Sequence, residues 1–180
     1  MVRRARAGDG EAIRAVGAAA GERFRAIDDP SIAARADDPP FSAEGSAHVW
    51  VAEDGGAVVG FIAVDVVDRC AHVEELSVHP DHEGRGHGSA LLDEVARWAA
   101  DEGLAGVTLT TYRDVQWNRP FYERRGFRVL ADDELTPGLR QVVAHEATIG
   151  LDPDLRVVMR RERPGAAAPD RPRRRGRGRG

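Results

Sequence analysis

Three glycines at alternate positions form the part of the sequence best suited to chemistry. They occupy positions 84, 86 and 88, between a β-branched run that ends at Val78 and a helical pattern that begins near Gly88. Alternate glycines let backbone N–H groups approach a ligand closely, and at a helix start those groups lack intrahelical partners and face the positive end of the dipole. The turn therefore predicts an anion site, for example for a pyrophosphate, to which Arg85 adds a charge-assisted bond.

Other interpretations of this turn differ in how well they fit. A glycine-rich connection that only turns the chain into a helix has the same composition and stays open. The dinucleotide fingerprint Gly-x-Gly-x-x-Gly is excluded because position 89 is Ser. No metal site is expected from His79, Asp81, His82 and His87, because a flexible turn without Cys or a second element rarely fixes tetrahedral geometry.

Periodicity and turn signals predict the elements around the turn. Runs over 48–52 and 57–67, separated by Glu-Asp-Gly-Gly, form the strongest hairpin signal, and a run over 72–78 extends the meander. A helix over 88–103 has one apolar stripe, formed by Leu91, Leu92, Val95, Trp98 and Ala99. Further strands are expected at 2–7, 107–112, 127–130 and 156–160, and further helices after Asp9 and at 120–125 and 139–147. Segment 28–45 is irregular or a short helix, and the strands flanking the 88–103 helix are expected to pair in parallel in an α/β sheet.

Composition excludes several classes of function. All 26 basic residues are Arg, so a Walker phosphate loop and Schiff-base chemistry, which need Lys, are excluded. No apolar run approaches the roughly 20 residues that span a bilayer, and the N-terminus lacks the apolar stretch of a signal peptide, so a cytoplasmic protein without a membrane partner is expected. The single cysteine, Cys70, is interpreted as a small apolar residue rather than a nucleophile activated by His72.

The charge is distributed unevenly along the chain. Residues 164–180 contain nothing apolar larger than Ala and are predicted to be a disordered Arg/Gly/Pro-rich tail, which leaves one globular domain over 1–163. The tail carries +5 of a formal net charge of −4, so the domain carries −9. An acidic domain favours cationic small molecules as partners, and nucleic acid is expected only through the tail, if at all.

The segment from Leu76 to Leu92, Leu-Ser-Val-His-Pro-Asp-His-Glu-Gly-Arg-Gly-His-Gly-Ser-Ala-Leu-Leu, resembles the acetyl-CoA signature of the GNAT acetyltransferases. In that family Gln or Arg is followed by two residues, Gly, one residue, then Gly or Ala, with Val-x-Pro before and a helix with paired leucines after. This sequence matches at Val78, Pro80, Gly86, Gly88, Leu91 and Leu92. Glu83 stands where Gln or Arg is usual, which predicts a reduced affinity for CoA unless the carboxylate points away.

A second segment, residues 115–127, is similar to the GNAT region in which an Asn contacts the pantetheine arm and a Tyr lies beside the CoA sulfur. Those roles fall to Asn118 and Tyr122, before a matching Gly-Phe ending. The resemblance implies a mixed, mostly antiparallel central sheet with helices on both faces, acetyl-CoA as cosubstrate and no metal. The residues it implies for binding acetyl-CoA are Leu76, Ser77, Val78, Glu83, Gly84, Arg85, Gly86, His87, Gly88, Ser89, Asn118, Phe121 and Arg125.

The resemblance also implies direct attack of an amine on the thioester, with a backbone N–H near 76–78 holding the carbonyl oxygen and Tyr122 protonating the sulfur. The candidate bases are His72, Glu74 and Glu75. Strict alternation places His72 and Glu74 on one face of the strand and Glu75 on the other. Glu75 is favoured for its place beside Leu76, and solvated surface charges are the alternative.

The acceptor is expected to be the primary amine of a small cationic molecule or peptide. Asp28, Asp29, Asp37 and Asp38 would attract it to a cleft formed by segment 24–41 and the loop after Leu130. A homodimer stays open, as do two other functions. One is a non-catalytic CoA-binding sensor or interaction module of the same fold, and the other is an acetyltransferase tethered to RNA or ribosomes by the tail.

Overall fold

The computed structural model describes residues 1–39, 41–42 and 48–163. The helices are α1 (Gly10–Gly21), α2 (Pro30–Ala33), α3 (His87–Asp101), α4 (Arg119–Glu123) and α5 (Pro137–Thr148), joined in places by short 3-10 turns. The strands are β1 (Val2–Arg4), β2 (His48–Asp54), β3 (Ala57–Val67), β4 (Cys70–Val78), β5 (Gly106–Tyr112), β6 (Arg128–Val129) and β7 (Arg156–Glu162). Within these ranges no helix is both long enough and apolar enough to cross a bilayer. The predicted disordered tail at 164–180 and part of segment 28–45 lie outside the described residues.

One seven-stranded sheet organises the described part of the chain, in the order β1-β2-β3-β4-β5-β7-β6. Every neighbouring pair is antiparallel except β4 and β5. That pair runs parallel because α3 carries the chain back between the two strands, as expected for a crossover connection. The predicted mixed, mostly antiparallel sheet is confirmed, and so is the parallel pair.

The hairpin between β2 and β3 is longer than its sequence pattern indicates. Its turn is formed by Gly55 and Gly56, with φ angles of 58° and 85°, and positive φ at both positions matches the twist of the flanking strands. Pairing continues through Glu53 and Asp54, which lie opposite Val58 and Ala57. Strand β2 therefore runs beyond residue 52 and places Asp54 at the end of the hairpin.

Helices cover both faces of the sheet. On one face α3 packs its apolar stripe into the main core, where Leu91 is fully buried. On the other face Ile13 of α1 packs against Phe61, and Leu139 of α5 packs against Val158. Each of these large side chains contributes about 1.5–3 kcal/mol by leaving water. Both faces of the sheet are therefore covered by packed apolar side chains.

A β-bulge interrupts β4 at Glu74. On the partner strand β3, Ala63 lies opposite Glu75, but the next residue, Val64, lies opposite Val73, so Glu74 has no counterpart. A bulge adds one residue to a strand and therefore shifts the alternation of its side chains between the two faces.

The bulge places His72 and Glu75 on the same face of the sheet. Their partners on β3, Asp65 and Ala63, are two residues apart and share one face. The predicted arrangement, with His72 and Glu74 on one face and Glu75 on the other, is wrong because it assumed an uninterrupted strand. Two of the three candidate bases therefore face the same space.

The parallel pair opens into a wedge beyond the bulge. Residues 71–73 of β4 pair with residues 107–109 of β5, although β4 continues to Val78 and β5 continues to Tyr112. Among the described residues, the β5-facing edge of 74–78 pairs with no strand. Backbone groups on such an edge are available to an extended molecule. The sheet thus contains an open slot immediately before the glycine turn.

Candidate active site

The wedge between β4 and β5 opens into a cleft of about 1040 Å³. Its walls come from α1 and the segment after it, β4, the glycine turn, the start of α3, the end of β5, α4 and α5. This volume lies just above the range of roughly 300–1,000 Å³ typical of small-molecule sites. Every residue predicted for catalysis or for acetyl-CoA binding lines this cleft except Arg85.

The glycine turn needs glycine for conformation at two positions and for space at a third. Gly84 and Gly86 have φ angles of 71° and 88°, and Gly86 is the N-cap of α3. A Cβ on Gly88 would lie 3.3 Å from the ring of Phe121, so that position is limited by close packing. The first hydrogen bond of α3 runs from the N–H of Ala90 to Gly86 O at 3.0 Å. The N–H groups before Ala90 therefore lie at the positive end of the helix, as the sequence predicts.

Charges around the turn are arranged differently from the sequence expectation. Arg85 points away from the cleft, and its Nη1 lies 3.4 Å from Oδ2 of Asp54. Glu83 lines the cleft but forms an ion pair with Arg23, whose guanidinium lies 4.4 Å from the centroid of the Trp117 ring. The cation that offsets Glu83 is 60 residues away in sequence, so no local motif indicates it.

Helix α4 is attached to the start of α3 by Arg125. Its Nε donates to Ser89 Oγ at 3.0 Å, its Nη1 donates to Phe121 O at 2.7 Å, and its guanidinium lies 3.6 Å from the centroid of the Phe121 ring. Asn118 is the N-cap residue of α4, but its side chain makes no capping bond and lines the cleft. This leaves the Asn118 amide available for a ligand, while Arg125 holds the wall in place.

Tyr122 and Glu75, the predicted acid and the favoured base, both have raised pKa values. Burial, together with the negative charge of Glu75, raises the pKa of the Tyr122 phenol. Burial also raises the pKa of the Glu75 carboxyl, opposed by the hydrogen bond that Ser77 Oγ donates to Glu75 Oε1 at 2.5 Å. The cleft therefore contains a phenol that stays protonated at neutral pH and a carboxylate that accepts a proton more readily than an exposed one.

The other two candidate bases have different surroundings. His72 is only 4% exposed, its Nδ1 lies 3.0 Å from Thr108 Oγ1, and burial lowers its pKa to about 4. Glu74 is exposed at the bulge. Burial raises the pKa of the nearby Cys70 thiol, which keeps it protonated and agrees with its interpretation as a small apolar residue.

The far end of the cleft contains residues that sequence reasoning did not select. Arg156 on β7 donates through Nη2 to Thr110 Oγ1 at 2.7 Å, and its Nε lies 3.2 Å from Oε2 of Glu146 on α5. His145 lines the same region. Segment 139–147 was predicted only as a helix, and the wall expected from the loop after Leu130 is instead supplied by α5. Nothing in the spacing of α5 distinguishes a helix that lines a site from one that covers a core.

The aspartates expected to attract a cationic acceptor are mostly engaged elsewhere. Asp29 caps α2, Asp37 pairs with Arg25, and Asp38 pairs with Arg35. Of the four predicted aspartates, only Asp38 lines the cleft. Arginine partners therefore reduce the attraction of Asp37 and Asp38 for a cation, and Asp28, Asp29 and Asp37 lie outside the cleft lining.

Comparison with known proteins identifies the family. Residues 19–127 match the model of the acetyltransferase (GNAT) family. This match covers more than half of the chain, and the mixed sheet and the glycine turn agree with what the resemblance implies. The protein belongs to the GNAT acetyltransferase family, whose members are acyl-CoA N-acyltransferases.

Similar proteins agree with this assignment. Over 60 residues the chain is 45% identical to mycothiol acetyltransferase of Nocardiopsis dassonvillei, a match that covers 33% of this chain and 18% of that protein. The ribosomal-protein-S18-alanine N-acetyltransferase of Escherichia coli has a TM-score of 0.61 at 16% identity, covering 94% of this chain and 96% of the other. A GNAT acetyltransferase from Brucella melitensis, solved with acetyl-CoA, has a TM-score of 0.54 at 26% identity, covering 76% and 90%. The chain spans less than half the length of the curated relatives that it matches.

Proposed function

We propose that this protein transfers the acetyl group of acetyl-CoA to a primary amine. The observation that carries the proposal is the open slot between β4 and β5, which leads from an unpaired strand edge to the N-terminus of α3 and passes Tyr122 and Glu75. An extended thioester with an anionic end fits such a slot. Its extended part can form strand-like hydrogen bonds with the unpaired edge of β4, and its anionic end can bind the N–H groups at the start of α3.

Acetyl-CoA would occupy the slot in two parts. The pantetheine arm has amide groups that would pair with the free edge of β4 at 76–78, in the manner of an added strand. Its pyrophosphate would lie on the N–H groups of the turn and of the first residues of α3, where the helix dipole favours negative charge. The Asn118 side chain lines the cleft, where its amide would contact the arm in the role that the resemblance implies for it.

The proposed reaction is a direct transfer. The neutral amine attacks the thioester carbonyl, a C–N bond forms, and the C–S bond breaks as the intermediate collapses. A backbone N–H near 76–78 would stabilise the oxyanion, and Tyr122 would donate its proton to the departing thiolate to give CoA-SH. The proton that the ammonium form of the acceptor loses before attack would pass to Glu75, directly or through water, and from there to solvent. The second proton, which the nitrogen loses once the C–N bond has formed, would pass by the same route to the Tyr122 phenolate, so one proton is released for each acetyl group transferred.

Glu75 suits the role of base better than its two rivals. The raised pKa of the Glu75 carboxyl lies closer to the pKa of the acceptor's ammonium group, which makes transfer of the ammonium proton to Glu75 easier. Glu75 also shares the cleft with Tyr122. His72 is neutral at physiological pH, but a pKa of about 4 makes it a weak base, and its Nδ1 is occupied by Thr108. Glu74 is exposed to solvent at the bulge and has no counterpart on β3.

The acceptor we propose is an amine of a small cationic molecule or peptide. Supporting groups are Asp65 and Glu74, two acidic residues that line the cleft near Glu75 and have no ion-pair partner among the described residues. The networked Arg156 and Glu146 at the far end would hold a second polar group of the acceptor. The similar proteins are named for mycothiol and for a ribosomal protein, so their names do not choose between small and large acceptors.

The test measures CoA-SH release from acetyl-CoA with a panel of small amines and N-terminal peptides, alongside acetyl-CoA binding by calorimetry. Tyr122→Phe and Glu75→Gln should each lower kcat by roughly 10²–10⁴ and leave acetyl-CoA affinity within about two-fold, because general acid–base groups act in the transition state. Glu94→Gln, on the exposed side of α3 and paired with Arg97, is the matched control and should retain wild-type rates.

Two outcomes would contradict the proposal in different ways. Acetyl-CoA binding without turnover of any amine, unaffected by Tyr122→Phe, would favour the non-catalytic sensor. No acetyl-CoA binding at millimolar concentration would exclude both functions.

A further inference from the structure

Two histidines and one aspartate converge beside the glycine turn. Nδ1 of His82 lies 3.2 Å from Oδ2 of Asp54, and Nε2 of His87 lies 3.7 Å from the same oxygen. The three ligand atoms all lie within 4.8 Å of one another. The histidines come from the turn and from the first residue of α3, whereas Asp54 comes from the end of the β2–β3 hairpin.

The cluster is incompletely satisfied by protein groups. Within the described part of the chain, Nε2 of His87 is buried and has no hydrogen-bond partner, since 3.7 Å is too long for a hydrogen bond to Asp54. A buried polar atom without a partner is costly and calls for an explanation such as an ion or a water. The His87 side chain is 16% exposed, so the site is protected but still reachable from solvent.

We propose that Asp54, His82 and His87 bind a divalent transition-metal ion of the zinc type. In a tetrahedral zinc site with metal–ligand distances of about 2.0–2.1 Å, ligand atoms lie roughly 3.3–3.5 Å apart. The two distances to Asp54, 3.2 and 3.7 Å, lie on either side of this range. The two histidine nitrogens lie within 4.8 Å of each other, and metal binding would draw them to the tetrahedral distance by side-chain rotation. Imidazole nitrogens favour zinc and its neighbours over magnesium and calcium. Three protein ligands leave a fourth position for water.

The hairpin supplies the second structural element whose absence argued against a metal site in the sequence analysis. A flexible turn alone does not fix a tetrahedral site, but here a second element supplies a carboxylate at a defined place. Arg85 also contacts Asp54, at 3.4 Å, and its side chain is more than half exposed, so it is free to move away when a metal binds. The ion would connect the hairpin to the turn and limit the motion of the segment that bears Gly84 and Gly86.

The direct test is a zinc titration of untagged, chelator-treated protein against a chromophoric chelator. We expect one Zn²⁺ per chain, with Asp54→Asn and His87→Leu each weakening binding at least ten-fold. At about one hundred times the wild-type dissociation constant, zinc should raise the Tm of the wild type by roughly 5–10 °C and that of the two variants by no more than about half as much. Circular dichroism establishes that each variant is folded before its titration is interpreted.

His79→Gln is the matched control, because His79 lies on the same turn but outside the cluster, and it should retain wild-type zinc affinity. Loss of zinc binding in this variant would assign the metal to the turn alone and overturn the proposal. So would a wild type that binds no zinc at micromolar concentration, in which case the three residues form only an Asp–His charge network. None of these readouts depends on acetyltransferase activity.

Discussion

Replacing Glu83 by Gln should tighten acetyl-CoA binding, because two electrostatic effects act in the same direction. The substitution removes a negative charge from the wall that would face the pyrophosphate, and it releases Arg23 from its ion pair so that its cation faces the ligand instead. The side chains of Arg23 and Glu83 are 32% and 35% exposed, so solvent screens both effects. Charge pairs at such positions are worth about 0.2–1 kcal/mol each, and the two together give roughly 1 kcal/mol, or about five-fold in Kd.

The assay is calorimetric measurement of acetyl-CoA affinity at about 0.1 M and about 1 M salt. The gain from Glu83→Gln should shrink at high salt, since the Debye length falls from about 10 Å to about 3 Å. Arg23→Gln should weaken binding by a similar factor, and the double variant should lie near the wild type if the two residues act as one neutral pair. Glu94→Gln removes a carboxylate from another Arg–Glu pair on α3, away from the cleft, and should leave affinity within about two-fold.

Unchanged or weaker binding by Glu83→Gln would refute this reasoning. It would mean either that the Glu83 carboxylate contacts the cosubstrate favourably or that the ion pair with Arg23 holds the turn in its binding conformation. The Arg23→Gln variant separates these two cases. Weaker binding in both single variants indicates that the pair is structural, whereas weaker binding in Glu83→Gln alone indicates a direct contact.

Two further predictions concern backbone strain and acid stability. Gly86→Ala places about 1–2 kcal/mol of strain in the left-handed backbone, so it should lower the Tm by roughly 2–8 °C and weaken acetyl-CoA binding as the turn relaxes. Gly103 has a similar φ of 70° and is equally free of close neighbours. Its replacement by Ala is the control and should lower the Tm without changing the affinity. For His72, whose pKa is lowered from 6.5 to about 4, the unfolded chain binds the proton more readily. Its contribution to stability is therefore complete above about pH 6.5 and is lost as the pH falls through about 4, which amounts to about 3 kcal/mol. Urea unfolding at several pH values measures how the free energy of unfolding changes with pH. This loss of stability at low pH should appear in the wild type and in the control His145→Gln, which changes an exposed histidine, and should be smaller in His72→Gln. An equal loss in all three proteins would contradict the assignment to His72.

Local chemistry predicted most of the fold. Strand β3 has the predicted bounds, because β-branched alternation and a Gly-Gly turn act over neighbouring residues. The apolar stripe of α3 placed that helix correctly for the same reason. The bulge at Glu74 was missed because a run of polar and apolar residues does not reveal which one lacks a partner on the next strand. Side chains do alternate on either side of the bulge, but continuing that alternation through Glu74 assigned Glu75 to the face opposite His72, which is wrong.

The candidate site was predictable where its residues are close in sequence. The turn and the Tyr122 segment each form a continuous motif, and both line the cleft. The partners that modify them come from distant segments. Arg23, in the segment that follows α1, pairs with Glu83 across 60 residues of sequence, and Asp54 lies beside His87 because β2 extends to the end of the hairpin. Such contacts depend on which distant segments the fold brings together, and the sequence pattern within one segment does not indicate this.

The open edge of β4 also affects the protein before any ligand arrives. Residues 74–78 have an edge that no strand covers among the described residues, so half of their amide hydrogens face the slot rather than β3. Those amides should exchange with deuterated solvent much faster than the neighbouring ones at 71–73, although all belong to one strand in the centre of the sheet. An extended ligand that pairs with this edge would slow their exchange, because it would supply the hydrogen-bond partners that a neighbouring strand provides elsewhere in the sheet.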